Sequence, residues 1–320
     1  MKLLKTIVLI SFLAGCASFE NSVFDLGLSV ERSMAGFEKH QIQLSDHNWV
    51  YLEAGNPKDP TVVLLHGFAA DKDNWTRMVQ KLEGFHVIAP DLPGHGDSSF
   101  NNNLQYGFDK QSLRLAEFVD ALGLKRFHLV GNSMGGAIAA LYAYRHPSKV
   151  QSLALLDAAG FYGEQPSELQ LLIENKQKNP LIVRSPEDMD FLMSFAMEQV
   201  PFLPWPATNV LARRAMAKEA ANDHIFNHMM TEAEAAKLSG GFTHVFSKLT
   251  VPSFVLWGEE DRILHVSSVD KFFETMPNVQ TEILPNVGHA PMLEVPELTA
   301  KLLVEFWQQG SQRTLAGTNK

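Results

Sequence analysis

Gly131-Asn132-Ser133-Met134-Gly135 decides the reading of this chain. It follows the short apolar run Phe127-His128-Leu129-Val130. It precedes Gly136-Ala137-Ile138-Ala139-Ala140-Leu141-Tyr142-Ala143-Tyr144, a helix-forming stretch closed by Arg145, His146 and Pro147. The pattern is G-x-S-x-G between a strand and a helix. A serine on so sharp a turn takes a strained backbone, and glycine two residues to either side leaves room for it. The turn lifts the hydroxyl clear of the main chain and sets the next N–H beside it at a helix N-terminus.

Outward from this motif, four apolar runs recur at βα spacing, Thr61–Leu65, Phe85–Ala89, Phe127–Val130 and Ser152–Leu156, and two more strands read late, Ser253–Leu256 and Thr281–Leu284. Continuous apolar strands imply a parallel sheet covered on both faces. Helical patterns fall over residues 74–82, 110–122, 134–145, 267–275 and 297–308. Ile42–Leu44 and Trp49–Glu53 read as a hairpin around Asp46-His47-Asn48. Between Gly160 and about Phe246 the strand pattern stops. This stretch is rich in Met, Ala and Glu and carries Val200-Pro201-Phe202-Leu203-Pro204-Trp205-Pro206. It reads as a helical cap inserted between the sixth and seventh strands. The expected organisation is a leader over 1–15, a spacer or amphipathic segment over 16–36, a core in two parts (37–160 and 247–310) around a cap at 161–246, and a tail over 311–320.

A serine hydroxyl is a weak nucleophile at neutral pH and needs a base, which needs an orienting acid. In open α/β sheets such groups gather at the carboxyl ends of strands. Phe254-Val255-Leu256-Trp257-Gly258 leads to Glu259-Glu260-Asp261. Thr281–Leu284 leads to Pro285-Asn286-Val287-Gly288-His289. The candidate triad is therefore Ser133, Asp261 and His289. Glu259, Glu260 and Asp157, which ends the sixth strand, are rival acids. Acyl transfer also needs oxyanion donors. The Met134 N–H is one candidate, and the Phe68 N–H, from His66-Gly67-Phe68 after the first parallel strand, is the other. His66 reads as a structural brace. Asp91-Leu92-Pro93-Gly94-His95-Gly96-Asp97-Ser98 reads as a stabilised turn. No metal site and no cofactor are expected.

His66-Gly67-Phe68, Asp91-x-x-Gly94-x-Gly96-x-Ser98, Gly131-x-Ser133-x-Gly135-Gly136, Asp261 and Gly288-His289 together resemble, in order, the pattern of the α/β-hydrolase superfamily. Leu64–Trp75 and His128–Gly136 resemble, more narrowly, monoacylglycerol-lipase-type and Moraxella-type bacterial lipases. The resemblance implies an α/β-hydrolase fold: a mostly parallel eight-stranded sheet, helices on both faces and an inserted cap. It implies a serine hydrolase of carboxylic esters, with lipid acylglycerols as the expected substrate. A carbon–carbon bond hydrolase with the same triad and a non-catalytic ligand-binding lipoprotein are the alternatives. Phe202, Leu203 and Trp205 are candidates for an acyl-binding wall or a lipid-facing lid. The alternative for them is packing of the cap onto the core.

The chain has 320 residues and a formal net charge of -9, which argues against nucleic acid as a partner. Lys2 and Lys5 flank an apolar segment, Thr6–Ala14, too short to span a bilayer. It ends in Leu13-Ala14-Gly15-Cys16, which resembles a bacterial lipobox. Cys16 is the only cysteine, so no intrachain disulfide is possible. Lipidation of Cys16, membrane attachment and, with alanine at 17, delivery to the outer membrane are the expectations. The sequence sets no oligomeric state. Residues 20–35 are amphipathic, and a spacer, a packed helix and a membrane-lying helix all fit them.

Overall fold

The computed structural model describes residues 2–317, with side chains described for 17–309. The Cys16 thiol and the side chains of the expected leader lie outside the described residues. A helix, α1 (Lys2–Met34), leads to the strands β1 (Glu38–Gln43), β2 (Asn48–Ala54) and β3 (Thr61–Leu65). A 3-10 turn (Lys72–Trp75), α2 (Thr76–Val79), β4 (His86–Pro90), α3 (Phe108–Ala121), β5 (Phe127–Asn132), α4 (Met134–Arg145) and β6 (Val150–Leu156) follow. Five helices then intervene before the next strand: α5 (Glu168–Glu174), α6 (Pro186–Ala196), α7 (Ala207–Ala217), α8 (Glu219–Ser239) and α9 (Gly241–Ser247). The chain closes with β7 (Ser253–Gly258), α10 (Ser268–Thr275), β8 (Val279–Leu284), α11 (Pro291–Glu294) and α12 (Pro296–Gly317).

The strands form one eight-stranded sheet in the order β1-β2-β4-β3-β5-β6-β7-β8. β2 pairs antiparallel with β1 and β4, and every other pairing is parallel. Alternate residues of the same strands feed two cores. Val63, Leu65, Leu129, Leu153, Leu155, Val255 and Trp257 pack with Leu115 and Phe118 of α3, Ile138 of α4 and Phe272 of α10. Val62, Leu64, Val130, Ala154, Leu156 and Leu256 pack with Met78 of α2 and Leu303, Phe306 and Trp307 of α12. Burial on both faces is why these strands are unbroken apolar runs. Truncating one of them, Leu64→Ala for example, costs about 2–5 kcal/mol.

Three elements differ from the sequence expectation: α12 runs on to Gly317, into the expected tail, and the hairpin and the helix after β3 differ as follows. The hairpin begins at Glu38 rather than Ile42, because Glu38-Lys39-His40-Gln41-Ile42-Gln43 is a polar edge strand whose residues alternate in exposure. The helix expected over 74–82 is a 3-10 turn followed by one short α-helical segment. Asp71 caps the turn by accepting the Asp73 N–H at 2.9 Å, and the buried Lys72 side chain turns inward to Asp91 at 2.8 Å. α1 lies against the domain over its described part. Glu20 and Asp25 pair with Arg213 and Arg214 of α7, and Arg32 and Glu31 pair with Asp73 and Arg77. Among the described residues no helix is long and apolar enough to cross a membrane.

Candidate active site

The strand order places the ends of β3, β5, β6, β7 and β8 side by side, so the loops after them converge. Ser133 follows β5 at φ 53 and ψ -119, a region costly for a residue with a side chain. The turn is held from all sides. The Ser133 N–H donates to the Leu156 carbonyl at 3.0 Å, and its own carbonyl accepts from Gly136 at 2.9 Å and Ala159 at 3.0 Å. A Cβ on Gly131 would collide with the Gly135 carbonyl. One on Gly135 would collide with the Leu65 carbonyl and stand 2.6 Å from that of His66. The glycines of the motif are there because α4 starts in contact with the end of β3.

Asp261 and His289 meet directly: His289 Nδ1 lies 2.7 Å from Asp261 Oδ2. Asp261 Oδ1 accepts the Ile263 and Leu264 N–H groups at 2.8 and 2.9 Å, which aims Oδ2 at the ring. Because a carboxylate can only accept, Nδ1 carries the proton and Nε2 keeps a lone pair. The His289 loop is held in turn. Its N–H donates to the Ala196 carbonyl at 2.8 Å, and its carbonyl accepts from Asn132 Nδ2 at 3.1 Å. Glu259 and Glu260 are exposed, and neither forms a hydrogen bond to His289 among the described residues. Asp157 is fully buried, and its Oδ1 accepts the Gly258 N–H at 2.8 Å. Ser133 is half-buried on the neighbouring strand end. Among the described residues its hydroxyl makes no hydrogen bond to His289. The structure thus joins Asp261 to His289, and ties Asn132, the residue before Ser133, to the His289 loop.

Met134 opens α4, so its N–H has no acceptor within the helix. The loop after β3 lies against the serine: a Cβ on Gly67 would stand 3.2 Å from Ser133 Cβ. The Phe68 N–H has no acceptor among the described residues. His66 holds this loop by donating from Nδ1 to the Gly67 carbonyl at 2.7 Å and accepting the Leu92 N–H on Nε2 at 2.9 Å. Burial pushes its pKa down to about 4, which keeps it neutral in that role. Asp91 spans the following turn: it takes the Lys72 N–H and ammonium at 2.8 Å each and the Asp97 N–H at 2.7 Å.

Asp157, Asp261 and His289 are the one group of three metal-ligating side chains among the described residues, with atoms within 4.8 Å of one another. Here Asp261 already accepts three hydrogen bonds, one of them from the histidine. The donor set fits a hydrogen-bonded relay.

Phe202 and Trp205 are 81% and 63% exposed, so neither is packed into the core, and Leu203 is half-buried. The Trp205 ring lies 6.3 Å from that of Phe19 on α1. Sequence reasoning missed two residues. Asn132 sits beside the serine, and only its adjacency to the motif could have flagged it. Glu294 accepts backbone N–H groups from Glu198 (2.8 Å), Gln199 (2.9 Å), Gly288 (2.9 Å) and Ala290 (3.2 Å), tying the end of α6 to the His289 loop. Its only sequence signal is an acid on a short helix just after the histidine.

A family model described as alpha/beta hydrolase fold matches residues 60–296. Lipase 3 of Moraxella sp. (strain TA144) is 36% identical over 279 residues, covering 85% of each chain. Monoacylglycerol lipase ABHD6 of Homo sapiens is 29% identical over 310 residues, covering 94% of this chain and 91% of that one. Among solved structures, a membrane phospholipase A superposes with a TM-score of 0.87 at 41% identity, covering 97% of this chain and 99% of the other. With the strand-end serine turn and the sheet order described above, these matches show that the chain belongs to the α/β-hydrolase fold family.

Proposed function

We propose that the chain is a carboxylic ester hydrolase that cleaves lipid acyl esters, acylglycerols being the favoured class, through an acyl-enzyme on Ser133. The observation that carries this is the strained Ser133 turn after β5 together with the Asp261–His289 pair in the loops after β7 and β8, all at the carboxyl ends of one sheet. Ser133 Oγ attacks the acyl carbon and His289 Nε2 takes its proton. Asp261 holds Nδ1–H and stabilises the imidazolium. The Phe68 and Met134 N–H groups receive the developing oxyanion, each donor worth about 3–4 kcal/mol. His289 then protonates the leaving alcohol, and a water deprotonated by His289 releases the fatty acid. The lipase and phospholipase relatives support lipid esters as the substrate class.

Cys16 anchors this enzyme by lipidation, facing the periplasm or the cell surface at the outer membrane. The lipobox-like Leu13-Ala14-Gly15-Cys16 supports this. So do the exposed Phe202 and Trp205, the latter next to Phe19, three residues after Cys16. Apolar side chains left in water at one place mark a ligand or membrane contact.

Two assays test the proposal. Turnover of p-nitrophenyl esters from acetate to palmitate, with mono- and triacylglycerol alongside, should show ester hydrolysis abolished by a fluorophosphonate that labels Ser133. Unlabelled, fully active enzyme would refute it. Cys16→Ser should move the protein from membrane to soluble fraction and abolish fatty-acid labelling while leaving turnover of short esters intact. Equal fractionation without label in either form would refute the anchor.

A further inference from the structure

Asp157 has a buried carboxyl that the mechanism above leaves without a task. It follows β6 at φ 44, another strained position for a non-glycine residue, and has no solvent exposure. Its N–H donates to the Leu256 carbonyl at 2.9 Å, and its Oδ1 accepts from Gly258 at 2.8 Å. Both contacts pin it to β7 and to the loop that carries Asp261. Its Oδ2 is buried with no conventional donor. Yet it is not isolated: ligating atoms of Asp157, Asp261 and His289 lie within 4.8 Å of one another.

Two carboxylates this close together and out of water do not readily both stay ionised. Asp261 already accepts two backbone N–H groups and the histidine. Asp157 accepts one N–H and has an oxygen to spare. The proton therefore belongs on Asp157. We propose that Asp157 is a positioning residue of the triad: a neutral carboxylic acid that donates its Oδ2 proton to the Asp261 carboxylate and holds it against His289. This rests on the serine-hydrolase reading above.

The ionisable groups facing Asp157 agree. Burial, then Asp261, push its carboxyl well above the usual range, and Glu294 from α11 adds to that. The Gly258 N–H acts the other way, more strongly than Glu294 but less than burial and Asp261. Ionisation of Asp157 would set a second negative charge beside Asp261 and remove the donor that steadies it. Loss of that proton at high pH would therefore disturb the acid half of the proposed triad.

The test compares Asp157→Asn, Asp157→Ala and Ser133→Ala by kcat, KM and pH profile on a soluble short-chain p-nitrophenyl ester. Asparagine keeps a neutral donor toward Asp261 and an acceptor for Gly258. It should hold kcat within about threefold of wild type near neutrality and move the alkaline limb upward. Alanine removes the donor. It should lower kcat about ten- to a hundredfold with KM unchanged, the worth of one hydrogen bond to a charged group. A residue with only a structural role would lower melting temperature and leave the alkaline limb where it was. Wild-type kcat and pH profile in Asp157→Ala, or an Asp157→Asn enzyme as dead as Ser133→Ala, overturns the proposal. Retained turnover in Ser133→Ala overturns the underlying serine reading instead. If Asp157→Ala does not fold, infrared spectroscopy decides. The wild type at neutral pH should show a protonated-carboxyl C=O stretch missing from Asp157→Asn, and its absence from the wild type overturns the proposal.

Discussion

Asn132 Nδ2 donates to the backbone carbonyl of His289 at 3.1 Å, and also to the Leu156 carbonyl at 3.1 Å. The residue before Ser133 is therefore tied to the His289 loop, across a sequence separation that no local pattern spans. In the proposed mechanism, this amide is the direct tie between the serine turn and the histidine loop, which Ala196, Asp261 and Glu294 hold from other sides.

Asn132→Asp removes both donors and sets a carboxyl group against two carbonyls. It should lower kcat/KM by about tenfold or more and cost about 1–3 kcal/mol of stability. Ester kinetics and urea unfolding check this. Unchanged kinetics with lowered stability would make Asn132 a fold residue only.

Glu294 joins the His289 loop to the end of α6 through four backbone N–H groups. Glu294→Ala leaves these donors to water or unpaired. The expected result is a fall in kcat of about tenfold or more with a small change in KM, since the ring loses its fixed aim. A variant with wild-type kcat would show that Ala196 and Asn132 suffice to hold the loop.

Phe202 and Trp205 are exposed, so Phe202→Ser and Trp205→Ser should change stability by no more than about 0.5 kcal/mol. In the proposed lipid-facing role, the double variant should lose turnover on long-chain emulsified esters while soluble butyrate esters are cleaved as before. A flat chain-length profile with a clear fall in melting temperature would assign them to packing instead.

His128 is buried between Ser152, 2.7 Å from its Nδ1, and the Trp307 ring at 4.9 Å. Burial, aided by Arg126, lowers its pKa from 6.5 to about 4. The unfolded chain therefore binds a proton that the folded chain refuses between those values. This stability is present above pH 6.5 and is lost as pH falls toward 4, on the order of 3 kcal/mol in all. The melting-temperature advantage of wild type over His128→Gln should shrink across that window. A constant gap from pH 7 to 4 would contradict it.

Local chemistry made much of this molecule legible in its sequence. The apolar runs at 61–65 and 253–256 and the Gly131–Gly135 turn each announce themselves through burial or steric need. The sheet order does not follow from their succession, since β4 lies between β2 and β3. The polar edge strand from Glu38 did not, since it buries little and so shows no apolar alternation. The 3-10 turn at Lys72–Trp75 was hidden because the Lys72 side chain points inward to Asp91, distant in sequence. Asn132 and Glu294 escaped for a related reason. Their partners are backbone groups from remote loops, which leave no mark on residue spacing. Asp157 was visible only as a rival acid, and its contact with Gly258 and Asp261 exists only once β6 and β7 pair.

The most direct test of the account is the turnover of a soluble p-nitrophenyl ester by Asp261→Asn beside Asp157→Asn. Asp261 accepts the His289 Nδ1–H, so the amide should favour the wrong tautomer and cut kcat by about ten-thousandfold, while Asp157→Asn stays near wild type. Near-normal turnover in Asp261→Asn with loss in Asp157→Asn would contradict the Ser133–His289–Asp261 assignment.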